Sequence, residues 1–418
     1  MPTFARPLAV LALLLAGCGG ATAQPPAHAT IAAPPRAPAG ASCPATVVHT
    51  LGAIARRIYG QAAHGRNVLS ARRRLARSRR LAAAVARADP AATRAALLPL
   101  LKHQIRSIAV TRGVHRLATI TGPPALAPVR GTIRDARGRP VGRYVLAVAQ
   151  DGAIARITQS LVGGRVELRD ARGAVLAAAG AARTARGTAV AAATAARGGR
   201  IDAASLAFPA RAYPSGALTV ALRLPAVSPT ACGATPQATV ARTIGAVGER
   251  LARTEARGAT VARVLRHVAT DPRFARAVAT DDPVALRAAI IRFFRTRSLH
   301  VVRIRATTSD GRLVGDVGGP DVLCPASRTV RDAAGRPLGT VTLAVQDDTG
   351  YIKLMRRFTG AAVVLRTATG TVPGSTLMPG PPTIPARGRV AVGGRTFDTY
   401  TFTTGAFPDG PLTVALLV

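Results

Sequence analysis

The chain reads as an α+β protein built from two tandem copies of one unit, each a long N-terminal helix and a shorter helix packed on an antiparallel sheet. Three observations lead there. One segment occurs twice, as RGTIRDARGRPVGRYVLAVAQD from Arg130 to Asp151 and as SRTVRDAAGRPLGTVTLAVQDD from Ser327 to Asp348. Further ordered matches flank it: Cys43 with Cys232, Asp89-Pro90 with Asp282-Pro283, Gly122-Pro123 with Gly319-Pro320, and Leu218–Leu222 with Leu412–Leu416. Within each copy the apolar period then changes from helical to strand-like, which places helices first and hairpin-linked strands after them. A self-similar period of this length marks a repeated structural unit. The copies span 43–225 and 232–418, joined by a Pro/Ser/Thr linker at 226–231.

Ahead of the first copy lies a targeting segment. Leu8 to Ala16 form a short apolar run after Arg6, too short to cross a bilayer and suited to a signal-peptide core. The run ends Leu15-Ala16-Gly17-Cys18, which resembles the lipobox of bacterial lipoproteins; the resemblance implies that 1–18 carries the signal and that Cys18 becomes the acylated N-terminus. The competing reading is a secretory peptide cut after Ala21-Thr22-Ala23 or Ala27-His28-Ala29. Either route exports the chain, anchored to the outer face of the cell membrane by Cys18 or secreted. Residues 19–42 are rich in Pro and Ala and read as a semi-rigid tether. No later apolar run is long enough to span a membrane.

Each copy opens with a long helix. Val240, Ile244, Val247, Leu251, Val261, Leu265 and Val268 keep a four-three spacing, broken only around Thr254 and Gly258. This seam suits the long helix of the other copy, a second molecule, or its own sheet. Asp89-Pro90 and Asp282-Pro283 start a second, shorter helix, with a capping carboxylate beside a proline that fits the first turn. Strands follow at His300–Thr307, Arg312–Val317, Ser327–Arg331 and Leu338–Val345, with Asp310-Gly311 and Gly335-Arg336-Pro337 at the turns. After a helix carrying Tyr351 come Ala361–Arg366, Arg389–Val392, Thr396–Thr403 and Leu412–Val418.

Composition narrows the chemistry. Of 418 residues 48% are hydrophobic but only 3% aromatic, with no Trp, so the cores rest on Ala, Val, Leu and Ile. The net charge of +38 is carried almost wholly by arginine, since Lys102 and Lys353 are the lysines. A GC-rich genome encodes such a composition; attraction to an anionic surface is the functional alternative. No aromatic residues interleave with Arg72, Arg73, Arg74, Arg77, Arg79 and Arg80, which argues against nucleic acid as a partner. The seven histidines lack metal-ligand spacing, and no nucleophile elbow or phosphate-binding glycine loop is present. Neither enzymatic activity, nor a metal, nor a cofactor is expected. Three cysteines remain after Cys18. A Cys43–Cys232 bridge would tie the copies together, with Cys324 left over, but the pairing stays open at this level.

The long helix, the Asp-Pro-capped helix and strands reading VVRIRATTSDGRLVGDVGGP and TVRDAAGRPLGTVTLAVQDD resemble the Cache domains, PAS-like extracytoplasmic sensor modules of bacterial receptors. The resemblance implies a small-molecule pocket on one face of the sheet, closed by the loop and helix after the long central strand, and a carboxylate or amino-acid-like ligand. In the second copy that place holds Asp347, Asp348, Tyr351, Lys353, Arg356 and Arg357, with Arg303 and Arg331 on nearby strands. The expected ligand set is Arg303, Arg331, Asp347, Tyr351, Lys353 and Arg357. The plainer reading makes Tyr351 and Phe358 core, Lys353 and Arg357 a solvated face, and Asp347 or Asp348 a helix cap. Receptors of that family continue into a membrane helix and an output domain, whereas this chain ends at Val418. The expected function is therefore a ligand-binding or sensing lipoprotein without its own output domain, passing any signal to a membrane partner. The alternative is a structural or adhesive envelope protein that binds anionic polymers through its arginines.

Overall fold

The computed structural model describes residues 33–418 apart from 102–104, 121–124, 127, 181–204, 214–215, 225–226, 297–298, 300, 320–321, 346, 369, 373, 378–379 and 408–409. The apolar run at 8–16 and Cys18 lie outside the described residues.

The first half opens with four helices, α1 (Cys43–His64), α2 (Arg66–Arg77), α3 (Arg79–Ala86) and α4 (Pro90–Leu101). Strands β1 (Ser107–Arg112), β2 (His115–Ile120), β3 (Ala125–Leu126), β4 (Val129–Arg134), β5 (Pro140–Ala147) and β6 (Ala149–Gln150) follow. Then come α5 (Asp151–Val162), β7 (Arg165–Asp170), β8 (Val175–Ala179), β9 (Ser205–Tyr213) and β10 (Gly216–Arg223). The second half runs through α6 (Pro236–Arg257), α7 (Ala259–Ala269), α8 (Pro272–Ala279) and α9 (Pro283–Arg295). Its strands are β11 (Arg303–Thr308), β12 (Leu313–Gly318), β13 (Val322–Leu323), β14 (Ala326–Arg331) and β15 (Pro337–Ala344). After α10 (Asp348–Thr359) come β16 (Ala362–Thr367), β17 (Gly370–Thr371), β18 (Arg387–Val392), β19 (Arg395–Phe407) and β20 (Gly410–Leu417).

The architecture is α+β with antiparallel sheets, and each half carries two sheets rather than the single one expected. The small sheets run β2-β1-β5-β4 and β12-β11-β15-β14; the large ones run β6-β3-β9-β10-β7-β8 and β13-β19-β20-β16-β17, with β18 on β19. The division has a local cause. The amphipathic helices α5 and α10 interrupt the run of strands, so strands on either side of them largely pair among themselves, and the two-residue β3, β6 and β13 cross to the large sheets.

The long apolar seam is likewise divided. At Gly258 the backbone is extended (φ −69°, ψ 161°), ending α6, and a Cβ there would run into the Thr254 carbonyl. Val240, Ile244, Val247 and Leu251 therefore serve one core, while Val261, Leu265 and Val268 serve another under the small sheet. The first of these cores crosses between the halves. It joins Leu51, Ile54 and Ile58 of α1 to Ile244 and Val247 of α6, to Leu222 of β10, and to Leu416 of β20. Packing is thus continuous across the 226–231 linker.

A disulfide adds to this union. Cys43 and Cys232 are bonded, with Cα atoms 5.6 Å apart and 189 residues between them. Closing so long a loop lowers unfolded-chain entropy by the equivalent of about 5 kcal/mol in the chain-entropy model. The two cysteines are not equivalent in the fold: Cys43 is the first residue of α1, whereas Cys232 follows the single turn at Pro229–Ala231, ahead of α6. Cys324 is a buried free thiol.

The end of the Pro/Ala tether is also fixed. Pro35 is buried, the Ala37 N–H donates to Gln237 Oε1 at 3.3 Å, and the Arg57 guanidinium donates to the Ala33 carbonyl. Residues 33–42 thus lie back along α1 and α6.

Candidate functional site

The six residues expected to hold a ligand do not converge. Tyr351 is fully buried, and its hydroxyl donates to the Gly248 carbonyl of α6 at 3.1 Å. Its ring belongs to the core with Ile352 and Met355, because residues at this spacing share the face of α10 that packs on α6. Gly248 makes the approach possible: a Cβ there would stand 3.0 Å from the Tyr351 hydroxyl and 2.8 Å from Leu416 Cδ1. Asp347 caps α10, accepting from the Gly350 N–H at 2.6 Å. Lys353 and Arg357 lie exposed on the opposite face of the helix.

Arg303 is committed elsewhere. Its Nε and Nη2 donate to the two oxygens of Asp316 at 2.7 and 2.9 Å, and its Nη1 donates to the Gly319 carbonyl at 2.7 Å. Arg305 shares the same carboxylate. Burial raises the Asp316 pKa, but hydrogen bonds and charge from Arg303 and Arg305 outweigh it and hold the carboxyl below its usual range. This trio braces β11 against β12, with the Arg303 guanidinium engaged by protein groups. Arg331 donates to the Gly335 carbonyl at 2.8 Å across its own hairpin turn.

Arg331 does, however, border a groove. A hollow of about 850 Å³ lies between α7 and α8 on one side and the β14–β15 hairpin on the other. Four guanidinium groups line it, from Arg276, Arg328, Arg331 and Arg336, together with the Asp332 carboxylate and the apolar side chain of Leu338. Asp332 is already engaged: the Arg336 N–H and Nε donate to it at 2.8 and 2.7 Å. The side-chain hydrogen bond from Arg336 is the largest cause holding its pKa below the usual carboxylate value. Arg276 and Arg328 are different. Among the described residues neither guanidinium has a hydrogen-bond or ion-pair partner, and both are exposed to the groove.

The first half supplies an internal control. Its hairpin repeats the scaffold contacts: Arg134 donates to the Gly138 carbonyl at 2.7 Å, and Arg139 pairs with Asp135 at 2.9 Å. Arg331 and Arg336 are thus parts of a hairpin that both halves build. The partnerless pair is not repeated. Aligning α3 with α8 sets Ala83 opposite Arg276, and aligning the hairpins sets Gly131 opposite Arg328. Tyr144 lies over Gly131 so closely that any Cβ there would meet its ring. Both positions are legible in the sequence as points where the repeat fails, Ala83 standing against Arg276 and Gly131 against Arg328.

Among the described residues no group of His, Cys, Asp and Glu is placed to hold a metal, and no helix is long and apolar enough to cross a membrane. No family model, curated protein or solved structure matches this chain.

Proposed function

We propose that the chain is an extracytoplasmic, ligand-binding lipoprotein, anchored through Cys18, whose second half holds a small carboxylate-bearing ligand in the groove between α8 and the β14–β15 hairpin. On this reading each half is a PAS-like module of the Cache type, and only the second keeps a ligand. The observation that carries the proposal is the pair of guanidinium groups, Arg276 and Arg328, that have no partner among the described residues and face one groove whose lining carboxylate, Asp332, is spent on Arg336. A guanidinium meets a carboxylate through two parallel hydrogen bonds, and two such forks on opposite walls suit a dicarboxylate. Leu338 and the alanines of α7 and α8 offer apolar contact for the carbon chain.

Calorimetric titration of the purified chain with succinate, citrate and glutamate tests this. Saturable binding by one of them is expected, weakened about tenfold or more by Arg276→Gln and by Arg328→Gln, with no change on Lys353→Gln. A flat titration with all three defeats the small-ligand reading.

A second reading rests on the same groove being open at the surface and on the exposed arginines of α2 and α3, Arg72, Arg73, Arg77, Arg79 and Arg80. An extended anionic envelope polymer would lie along such a surface, and its retention would fall steeply with salt.

A further inference from the structure

The second half contains another hollow, of about 640 Å³, between the C-terminal part of α6, the turn from β13 into β14, and β19. It shares no lining residue with the arginine groove. Three charged residues of α6, Glu249, Arg253 and Arg257, enter it at intervals of four. That spacing sets them in one stripe, each about 6 Å along the helix from the last.

A glutamate one turn before an arginine is well placed to pair with it, yet Glu249 does not. Its Oε1 instead accepts the Tyr400 hydroxyl at 2.7 Å, and the Arg387 guanidinium lies over the Tyr400 ring, 3.3 Å from the ring centre. The carboxylate is thereby pinned with Oε2 free of that bond. Arg253 and Arg257 have no hydrogen-bond or ion-pair partner among the described residues. One hollow thus presents a fixed negative group and two uncommitted positive ones, about one helical turn apart. Phe402 and Leu265 supply an apolar wall beside them. The first half has no such ladder: with the glycine ends of α1 and α6 aligned, Arg56, Gly60 and His64 occupy the three positions.

We infer that this hollow is a second binding site, for a small zwitterion whose ammonium group meets Glu249 and whose carboxylate meets Arg253 and Arg257. A ligand of one sign leaves the opposite protein charge unanswered and binds less well. The stripe favours charges separated by a short methylene chain, which would lie against Phe402.

The test is calorimetric titration of the purified full chain at low salt with 4-aminobutyrate, and with butyrate and butylamine as single-charge controls. Saturable binding of 4-aminobutyrate is expected, about tenfold or more tighter than either control. Glu249→Gln keeps an acceptor for Tyr400, so the fold is retained; it and Arg253→Gln should each weaken binding about tenfold with melting temperature unchanged. Arg276→Gln and Arg328→Gln should leave it intact. Absence of saturable 4-aminobutyrate binding by the folded protein overturns the proposal. So does equal binding of butyrate, or loss of binding on Arg276→Gln with retention on Glu249→Gln.

Discussion

The two small sheets share one strand order and one hairpin, and differ in what their side chains do with that frame. On the facing strands of the first, Ser107, Ala109 and Thr119 stand where the second has Arg303, Arg305 and Asp316. The first leaves Ser107 Oγ and Thr119 Oγ1 buried with no partner among the described residues; the second closes the same place with an ionic trio. Beneath the α3-type helix, the first has Ala83, and Tyr144 lying over Gly131, where the second has Arg276, Val341 and Arg328. One half fills its groove with a ring; the other lines it with cations. The shared backbone accounts for neither outcome, so function has to be sought in the residues that the copies do not share.

The large sheets teach the same lesson through packing. Ile154 of α5 occupies the place that Tyr351 has in α10, and Ala55 of α1 the place of Gly248 in α6. Side-chain volume lost at one position is regained at its neighbour, so both halves fill one common core. Tyr351→Ala should therefore be the more damaging truncation, removing a ring and stranding a hydrogen bond at the cost of about 4 kcal/mol, against about 3 kcal/mol for Ile154→Ala. Denaturant unfolding measures both. A Tyr351→Ala protein as stable as its parent, but unable to bind ligand, would return Tyr351 to the pocket first expected for it.

Asp316→Asn probes the ionic trio and should cost about 2 kcal/mol at neutral pH, since Arg303 and Arg305 lose their charged acceptor. The pH dependence has a definite sign. The folded-state pKa of Asp316 lies below its unfolded value, so its stabilisation is complete above the ordinary aspartate pKa of about 3.9. It is lost as pH falls through the lower folded value. Variant and parent should converge there, and a difference that persists in acid would mean that Asp316 acts by shape rather than charge. The corresponding Thr119→Val in the first half should be neutral or slightly stabilising, because it removes a buried hydroxyl without a partner.

The smallest expected effect is the most pointed. Adding Ala83→Arg and Gly131→Arg to the first half, with Tyr144→Val to clear the ring, should create a second weak carboxylate site, read as a rise in stoichiometry from one toward two. Without Tyr144→Val the Gly131→Arg change should instead destabilise the fold, as its Cβ meets the Tyr144 ring.

Much of the local structure was open to inspection in the residues. Asp282 does cap α9, its Oδ1 accepting from the Val284 and Ala285 N–H groups at 2.9 Å, because a cap needs only residues a few positions apart. The strands at Ala326–Arg331 and Pro337–Ala344 and the turn between them follow from alternation and from Gly335, whose φ of +81° is natural to glycine. The candidate site was less open. Arg303 and Tyr351 are of the right residue types for a carboxylate pocket, and what engages them in the fold are Asp316 on a neighbouring strand and Gly248, 103 residues away. Arg276 and Arg328 stand out because no described residue near them in space offers a partner.

What the residues determined alone is whatever depends on near neighbours: the internal repeat, its helix starts, its hairpins and the α+β class. Tertiary structure alone decided how the strands divide into two sheets per half, how α1 and α6 merge two copies into one core, and which guanidinium groups are spent. Each of those outcomes is set by contacts between residues far apart in the chain, where apolar surface and hydrogen-bonding capacity are matched only once the whole molecule has closed.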